Sequence, residues 1–420
     1  MSLKDIIIAS LSRDPESMNF ARIALKYLQK RYKIIAPKVE HSIYPGKFKW
    51  PEYNPHALSD LEDKAVYLFA VPTDPANILH NVQPGEMKTR AEFSAVVAKE
   101  MKSKKVVLVA PNLYFSRADK GQFDITNHMP EDKKNSFKGK VNLAKAQARA
   151  FKINGIDQVV TMHVHSPEVI KSYQDVFERE DALISISPAP LYVHYLQNYS
   201  VIDMKENGKN LVLIGPDAGS ASFVEEVYTY LQQIGYNNTS KIIFEKTRKK
   251  PNDPNKVILS NPSFSDNFNG LEGTTIVALD DMDDTGGTKA ALYNTLLNDG
   301  VEICGSLEKP ANVSNYATHA IFAGIDYEAA MERIANVNPI EVIYANTHPA
   351  IEKNMIFDLR KVTSVIRTAN YFGEVIRCLE EGIPLNELFR TEGIIDMNKI
   401  SKFVVPPYRR EEHVHNLENN

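Results

Sequence analysis

The sequence predicts an α/β protein of two domains, each a mainly parallel sheet flanked by helices. The chain has 420 residues, which is long for a single ordinary domain. Short apolar runs rich in β-branched residues recur along it, and several alternate with segments of helical periodicity. Because strands that are buried on both faces read as continuous apolar runs, this alternation is typical of parallel sheets covered by helices.

The apolar runs set the predicted element order. Strands are predicted at 6–10, 65–71, 105–111, 158–164, 211–216, 241–246, 274–279, 319–324 and 341–346. Amphipathic helices are predicted in 220–235 and 287–300, where apolar residues recur at helical spacing. The two halves share a similar rhythm, which predicts domains at 1–190 and 191–385 and a C-terminal extension at 386–420.

Composition narrows the class of protein. Hydrophobic residues make up 43% and charged residues 24% of the chain, as in ordinary soluble globular proteins. The formal net charge of −4 argues against nucleic acid or a membrane surface as a partner. The two cysteines, Cys304 and Cys378, have no metal-binding spacing. No apolar run is long enough to span a bilayer and the N-terminus lacks a signal-peptide layout, so we expect a cytoplasmic protein.

The most informative stretch begins at Thr274, where an apolar run passes into four acids, then Thr-Gly-Gly-Thr, then a helical segment. Hydroxyls and backbone N–H groups at a helix N-terminus bind phosphate, and glycines let the backbone approach it closely. Carboxylates do not bind phosphate, but they accept hydrogen bonds from sugar hydroxyls or hold a metal ion. The stretch therefore predicts a pocket for a phosphorylated sugar at the end of a strand.

Three other interpretations of this stretch were weighed. A calcium loop fails, because its twelfth position counted from Asp281 is Leu292 instead of a glutamate. An acidic turn without a ligand is a second alternative. The third is the Asp-x-Asp-x-Thr signature of haloacid-dehalogenase-like phosphatases, which Asp281, Asp283 and Thr285 match. On this stretch alone, the sugar-phosphate and phosphatase interpretations both remain open.

The segment from Asp280 to Thr288 resembles the phosphoribosyl-pyrophosphate motif of type I phosphoribosyltransferases and ribose-phosphate pyrophosphokinases. Further segments resemble the pyrophosphokinases specifically and follow in the same order. They are PNLYFSRADK (111–120), VVTMHVHS (159–166), VLIGPDAGSA (212–221), FEKTRKKPN (244–252), NYATHAIFAG (315–324) and EVIYANTHP (341–349). The phosphatase interpretation accounts for none of them, so the resemblance favours the pyrophosphokinase and implies two phosphoribosyltransferase-like domains.

The resemblance implies an activity and its partners. The expected enzyme transfers pyrophosphate from ATP to the 1-hydroxyl of ribose 5-phosphate, giving phosphoribosyl pyrophosphate and AMP. Mg²⁺ is the expected cofactor, and a homo-oligomer built from dimers is the expected assembly. Two alternatives stay open: a phosphoribosyltransferase that uses phosphoribosyl pyrophosphate, and a non-catalytic regulatory homologue.

The same resemblance assigns site residues. Ribose 5-phosphate is expected at Asp280, Asp281, Asp284, Thr285, Gly286, Gly287 and Thr288. ATP is expected at Phe48, Glu52, Arg117, Asp119 and Lys120. The expected catalytic residues are Lys246, Arg248 and His165, and the expected metal ligands are His165 and Asp217. Ala118, His163 and Trp50 depart from the family pattern, which puts nucleotide selectivity in question.

Within the acidic run, the resemblance separates one residue from the others. Asp283 falls at a position that varies in the family, so it is predicted to be dispensable. The phosphatase alternative predicts the opposite, because Asp281 and Asp283 would then be its two essential acids.

Overall fold

A computed structural model describes residues 6–11, 15–32, 61–70, 84–248, 257–298, 312–322, 327–348 and 355–409. The chain divides into two compact units. The first takes residues 1–187, 347–349 and 369–382, and the second takes 188–346, 350–368 and 383–420. Division by order along the chain placed all of 191–385 in the second domain, whereas 369–382 belongs to the first unit.

The first unit contains a five-stranded sheet whose strands are all parallel and lie side by side in chain order. The strands are β1 (Ile6–Ser10), β2 (Ala65–Phe69), β3 (Lys105–Ala110), β4 (Gln158–Met162) and β5 (Leu183–Ile186). Every residue of β1, β2 and β4 is buried. This is the pattern of strands covered on both faces.

Helices accompany this sheet. They are α1 (Pro15–Tyr32), α2 (Pro84–Glu100), α3 (Glu131–Phe137), α4 (Leu143–Ile153), α5 (Pro167–Phe177) and, from much later in the chain, α11 (Ala369–Glu381). Helix α11 packs on α1, where Tyr27 Oη donates to Glu374 Oε2 at 3.0 Å. A Cβ on Gly373 would lie 2.9 Å from Cδ1 of Tyr27, so glycine lets the two helices approach. This packing explains why 369–382 joins the first unit.

The second unit contains an eight-stranded sheet in the order β15-β12-β11-β10-β9-β6-β7-β8. Its strands are β6 (Leu211–Gly215), β7 (Ser240–Arg248), β8 (Val257–Phe264), β9 (Thr275–Asp283), β10 (Asn312–Ala320), β11 (Glu341–Ala345), β12 (Thr363–Ile366) and β15 (Tyr408–Arg409). The central strands are parallel, while β8 and β15 pair antiparallel with their neighbours. A separate hairpin joins β13 (Arg390–Thr391) to β14 (Ile394–Ile395).

The helices of the second unit are α6 (Ala189–Asn198), α7 (Ala221–Gln233), α8 (Gly287–Asn298), α9 (Tyr327–Ala335), α10 (Phe357–Val362) and α12 (Met397–Ser401). One core cluster joins Ile276 and Ala278 of β9 to Leu292, Tyr293 and Leu296 of α8. This packing fixes the face of β9 that looks toward α8, and it sets the geometry of the site described below.

The predicted α/β fold with mainly parallel sheets is confirmed. One predicted strand was displaced: the run at 319–324 begins where β10 ends, because the buried body of β10 carries polar residues such as Ser314, Asn315 and Thr318. The strands β5, β8 and β12 were not predicted. Among the described residues, no helix is long and apolar enough to cross a membrane.

Candidate functional site

The acidic run is part of strand β9, which continues four residues beyond the apolar run that predicted it. The strand ends at Asp283 and not at Leu279. Asp280 lies opposite Ala317 of β10 in the parallel register, and Asp283 lies opposite Ala320. The predicted strand bound at residue 279 was therefore too short. The acids are the last residues of the strand, where pairing with β10 fixes their backbones.

Asp280 points to the face of β9 that α8 covers. It follows Ile276 and Ala278 at the two-residue spacing of side chains on one face of a strand. The ammonium Nζ of Lys289, in the first turn of α8, lies 3.5 Å from Oδ2 of Asp280. The side chain of Lys289 is 1% exposed, and that of Asp280 is 10% exposed. A buried carboxylate at the strand end thus has a buried lysine as its counter-charge.

The charges around Asp280 determine its protonation. Burial raises the pKa of Asp280 well above its usual range, and Lys289 lowers it. Asp281, Asp217 and Asp283 raise the pKa further, because each adds negative charge nearby. A single lysine therefore faces several acids, and the strand end is a region of concentrated negative potential.

Lys289 was missed at the sequence level, although a signal was available. It precedes Leu292, Tyr293 and Leu296 by three, four and seven residues, which is the spacing of one helix face. Those three residues form the core-facing stripe of α8. A lysine on such a stripe, one turn from a strand rich in aspartate, indicates a buried ion pair.

The turn that follows β9 is shaped by a glycine and supported by a neighbouring helix. Gly286 has a φ of +69°, which favours glycine, and its carbonyl accepts from Ala290 N at 3.0 Å at the start of α8. A Cβ on Gly286 would lie 2.4 Å from the carbonyl oxygen of Ala330 in α9. Arg333 of the same helix donates to the carbonyl of Thr285 at 2.8 Å. Helix α9 therefore supports the turn from behind.

The exposure of this turn fits a ligand site. Thr285 is exposed, Asp284 and Thr288 are half-buried, and Gly286 and Gly287 are buried. Hydroxyl side chains and the first N–H groups of a 12-residue helix lie together at its N-terminus. The predicted ribose 5-phosphate residues thus form one segment, from Asp280 at the end of β9 to Thr288 at the start of α8, in which Asp281, Asp284, Thr285 and Thr288 reach solvent.

Asp283 is buried and hydrogen-bonded within the sheet, while its dispensability for activity stays a prediction. It is 2% exposed, and its Oδ2 accepts a hydrogen bond from Nδ2 of Asn315 and another, at 2.9 Å, from Oη of Tyr344. These donors come from β10 and β11, so the carboxylate bridges three neighbouring strands. Its burial also argues against a phosphatase, in which Asp283 would have to face the substrate.

Asp217 follows strand β6, which is the neighbour of β9 in the sheet. Its Oδ1 accepts from the backbone N–H groups of Gly219 at 3.0 Å and Ser220 at 3.2 Å. These bonds fix the carboxylate at the start of α7. Asp217 is half-buried and close enough to Asp280 to raise the pKa of that residue. It therefore belongs to the acidic region of the second unit.

Lys246 and Arg248 lie on β7, where they pair across the antiparallel ladder with Leu259 and Val257 of β8. Only their backbone positions are among the described features of the structure. The strand pair β7–β8 forms one end of the sheet. The catalytic assignment of both residues stays a prediction.

In the first unit, three predicted ATP-side residues, Arg117, Asp119 and Lys120, lie in the loop after β3. Arg117 and Lys120 are exposed, and Asp119 is half-buried. Oγ of Ser166 donates to Oδ2 of Asp119, and Lys120 Nζ lies 3.4 Å from Oε1 of Glu168. The loop after β3 is therefore linked to the N-terminus of α5.

His165 lies one residue before Ser166 and is exposed. The preceding segment is anchored to β5: His163 N donates to the carbonyl of Ile186 at 3.0 Å, and Val164 N donates to Oγ of Ser185 at 3.0 Å. His163 has a φ of +47°, an uncommon conformation for a residue with a side chain. The backbone thus turns sharply at His163 and presents His165 outward.

Two predicted residues, Phe48 and Glu52, lie outside the described residues, as does Trp50. For the others, the structure groups Arg117, Asp119, Lys120 and His165 in the first unit. It groups Asp217 with Asp280 and the turn through Thr288 in the second.

The donor chemistry bears on the expected magnesium ion. Among the described residues, no group of three or more His, Cys, Asp and Glu side chains is arranged to hold a metal ion. Mg²⁺ takes oxygen ligands and keeps several waters. Asp217 offers a carboxylate oxygen, whereas the imidazole of His165 suits Mg²⁺ only through a bound water. Asp280 fits poorly as a direct ligand, because Lys289 already lies beside it.

Comparisons with known proteins agree with this geometry. The family profile described as the phosphoribosyl transferase domain matches residues 198–313, which contain β9 and the turn after it. A ribose-phosphate pyrophosphokinase of Aquifex aeolicus is 30% identical over 247 residues, covering 59% of this chain and 65% of that protein. The chain thus spans slightly less than two thirds of that relative's length.

Two further proteins extend the comparison. Ribose-phosphate pyrophosphokinase 4 of Saccharomyces cerevisiae is 25% identical over 287 residues, covering 68% of this chain and 70% of that protein. A crystal structure of phosphoribosylpyrophosphate synthetase from Mycobacterium smegmatis superposes with a TM-score of 0.60 at 18% identity. It covers 90% of this chain and 99% of that one, which shows that the fold is shared.

Proposed function

We propose that this chain, a divergent member of the ribose-phosphate pyrophosphokinase family, transfers pyrophosphate from ATP to ribose 5-phosphate. The observation that carries the proposal is the segment from Asp280 to Thr288. It joins strand-end carboxylates to a glycine turn at the N-terminus of α8. This segment provides acceptors for sugar hydroxyls and donors for a phosphate within a few residues.

In the second unit, each group has one proposed task. The hydroxyls of Thr285 and Thr288 and the N–H groups of the glycine turn bind the 5-phosphate. Asp280 and Asp281 accept hydrogen bonds from the ribose hydroxyls. Asp284 begins the turn. The positive φ of Gly286 and its contact with α9 keep the turn in shape before the ligand arrives.

In the first unit, the proposed ATP residues are Arg117, Asp119, Lys120 and His165, with Phe48 and Glu52 as predicted adenine-side residues. Asp119 and Lys120 are already engaged by Ser166 and Glu168. Their proposed contribution is therefore to hold the loop after β3, while the exposed Arg117 meets the phosphates.

In the proposed reaction, one bond to phosphorus forms and one breaks. The oxygen of the 1-hydroxyl forms a bond to the β-phosphorus of ATP, and the bond from that phosphorus to the oxygen bridging to the α-phosphate breaks. The hydroxyl proton passes to solvent, and AMP leaves with the bridging oxygen. Positioning and charge stabilisation supply most of the rate in phosphoryl transfer. Lys246 and Arg248 are the proposed cations for the moving group.

Magnesium, when bound, would neutralise the ATP phosphates, and Asp217 with His165 acting through water are its proposed ligands. A homo-oligomer built from dimers and a cytoplasmic location both stay predictions.

A phosphoribosyltransferase is the second candidate function, because the matched family profile describes a phosphoribosyl transferase domain. Such an enzyme would use the same sugar pocket but would release pyrophosphate while attaching a base. The loop network of Asp119 and Lys120 in the first unit has no evident task in that reaction.

One assay separates these candidates. The full chain is incubated with ATP, Mg²⁺ and ribose 5-phosphate, and AMP is measured. AMP that depends on ribose 5-phosphate supports the pyrophosphokinase. Pyrophosphate release that depends on a base supports the transferase. Binding of ribose 5-phosphate with no AMP supports the non-catalytic homologue.

Substitutions of two lysines on β7, Lys246 and Lys241, test the catalytic assignment. Lys246→Ala is expected to lower kcat by on the order of a hundredfold or more, the usual effect of losing one transition-state cation. Lys241→Ala is the matched control, because Lys241 lies on the same strand, pairs with Glu225 and covers the ring of Tyr228. Unchanged kcat in Lys246→Ala would remove Lys246 from the mechanism.

A further inference from the structure

The ion pair between Lys289 and Asp280 is unusual for a sugar-binding strand end. Nζ of Lys289 is fully buried and makes no hydrogen bond among the described residues. A lysine ammonium has three donors, and a buried one is normally satisfied by its neighbours. Among the described residues, its ion-pair partner is Oδ2 of Asp280 at 3.5 Å, and no hydrogen bond satisfies its donors.

The position of Lys289 is set by the fold. It occupies the core-facing stripe of α8 that packs on Ile276 and Ala278 of β9. Asp280 is the next residue on that face of the strand. The ammonium is therefore held under the acidic strand end by the packing of the helix, in contrast to a surface lysine that moves freely.

Charge decides what else can lie beside Asp280. Asp281, Asp217 and Asp283 add negative charge around this carboxylate. In most settings such a group of acids attracts a divalent ion. A divalent ion next to Asp280 would meet the buried ammonium at close range, and like charges repel strongly where water is excluded.

We infer that Lys289 is a built-in cation of the sugar site and takes the place beside Asp280 that a divalent metal ion would otherwise occupy. This rests on the proposed function, since it concerns how the second unit binds ribose 5-phosphate. Asp280 accepts hydrogen bonds from the sugar hydroxyls, and the buried ammonium of Lys289 supplies the positive charge beside it. The second unit binds ribose 5-phosphate without a metal ion at Asp280.

The first test measures binding of ribose 5-phosphate to the wild-type full chain by calorimetry, in EDTA and in Mg²⁺. The two dissociation constants are expected to agree within about threefold. An affinity that falls tenfold or more in EDTA, in protein that stays folded, would overturn the inference and leave the proposed function intact. Absence of binding in both buffers would overturn the proposed function, and the inference with it.

The second test uses Mn²⁺ as a probe, followed by electron paramagnetic resonance. Lys289→Met is expected to gain a Mn²⁺ site that the wild type lacks, and to lose it again when Asp280→Asn is added. Binding of ribose 5-phosphate to Lys289→Met is expected to become metal-dependent, by about tenfold or more. A folded Lys289→Met that gains no Mn²⁺ would show that Lys289 only fills space, which would overturn the inference.

Lys241→Met is the matched control, because it breaks a lysine–carboxylate pair on β7 without touching Asp280. It is expected to gain no Mn²⁺ site. The wild-type titrations test the inference even if Lys289→Met fails to fold, because Mn²⁺ bound by the wild type and released by Asp280→Asn would overturn it directly.

Discussion

The carboxyl ends of β9 and β4 carry the charged residues of the two units, but in opposite environments. At β9, Asp280, Asp283 and Lys289 are almost fully buried. At β4, His165 is exposed, and in the adjoining loop after β3 Lys120 is exposed and Asp119 is half-buried. Charges in water contribute little to stability, whereas buried charges have large energies that depend on their partners. The β9 end is therefore expected to be rigid and sensitive to substitution, and the β4 end tolerant.

The largest effect is expected at Asp283. Asp283→Ala leaves the buried donors of Asn315 and Tyr344 without their acceptor, and we expect a loss of about 3–5 kcal/mol in the free energy of unfolding. Urea unfolding measures it. Asp203→Ala, at a carboxylate whose side chain is 79% exposed, is expected to stay within about 0.5 kcal/mol of the wild type. If both variants were equally stable, the stabilising role of the buried Asp283 would be refuted.

A smaller loss of stability is expected when Gly286 is replaced. Gly286→Ala must accommodate a φ of +69° and a Cβ placed 2.4 Å from the carbonyl of Ala330, and we expect about 2–3 kcal/mol of destabilisation. Gly393→Ala is the control, since its φ is +81° and nothing lies within 4 Å of the added Cβ. The difference between the two melting temperatures isolates the contact with α9. Equal shifts would mean that α9 does not support the turn.

The β4 end provides the contrasting measurement. A double-mutant cycle with Ser166→Ala and Asp119→Ala is expected to give a coupling of about 0.5–1.5 kcal/mol, typical of a hydrogen bond that solvent partly screens. Under the proposed function, the single variants should raise the KM for ATP more than they lower kcat. A coupling energy of roughly 3 kcal/mol or more is the scale of a buried pair. Such a value would show that this hydrogen bond contributes as much to stability as the buried contacts at the end of β9.

The smallest effect concerns a buried histidine away from both strand ends. Burial lowers the pKa of His194 on α6, so the folded protein binds a proton less readily than the unfolded chain. Its stabilising contribution is present above the ordinary histidine pKa and is lost as the pH falls through that value toward the lowered one. His194→Gln should flatten the decline in stability between pH 8 and pH 5, roughly the histidine range. The exposed His128→Gln should leave it unchanged.

Much of the fold was predictable from local pattern. Continuous apolar runs marked β1, β2, β3, β4, β6, β7, β9 and β11, because strands buried on both faces need no polar alternation. The same logic failed for β10, whose buried Ser314, Asn315 and Thr318 do not form an apolar run. Periodicity located α7 and α8, but it does not indicate which sheet a helix packs against. Chain order therefore placed residues 369–382, which contain α11, in the second domain, whereas they belong to the first unit.

The sequence by itself determined the α/β class, the order of the motifs and the glycine turn after the acidic run, because those depend on local chemistry and spacing. Only the tertiary structure decided what each acid does. Asp283 became a buried acceptor because Asn315 and Tyr344 of neighbouring strands reach it. Asp280 acquired a lysine because α8 folds its stripe onto the same face of β9. Residues far apart in the chain set these partners, and no reading of the acidic run alone could supply them.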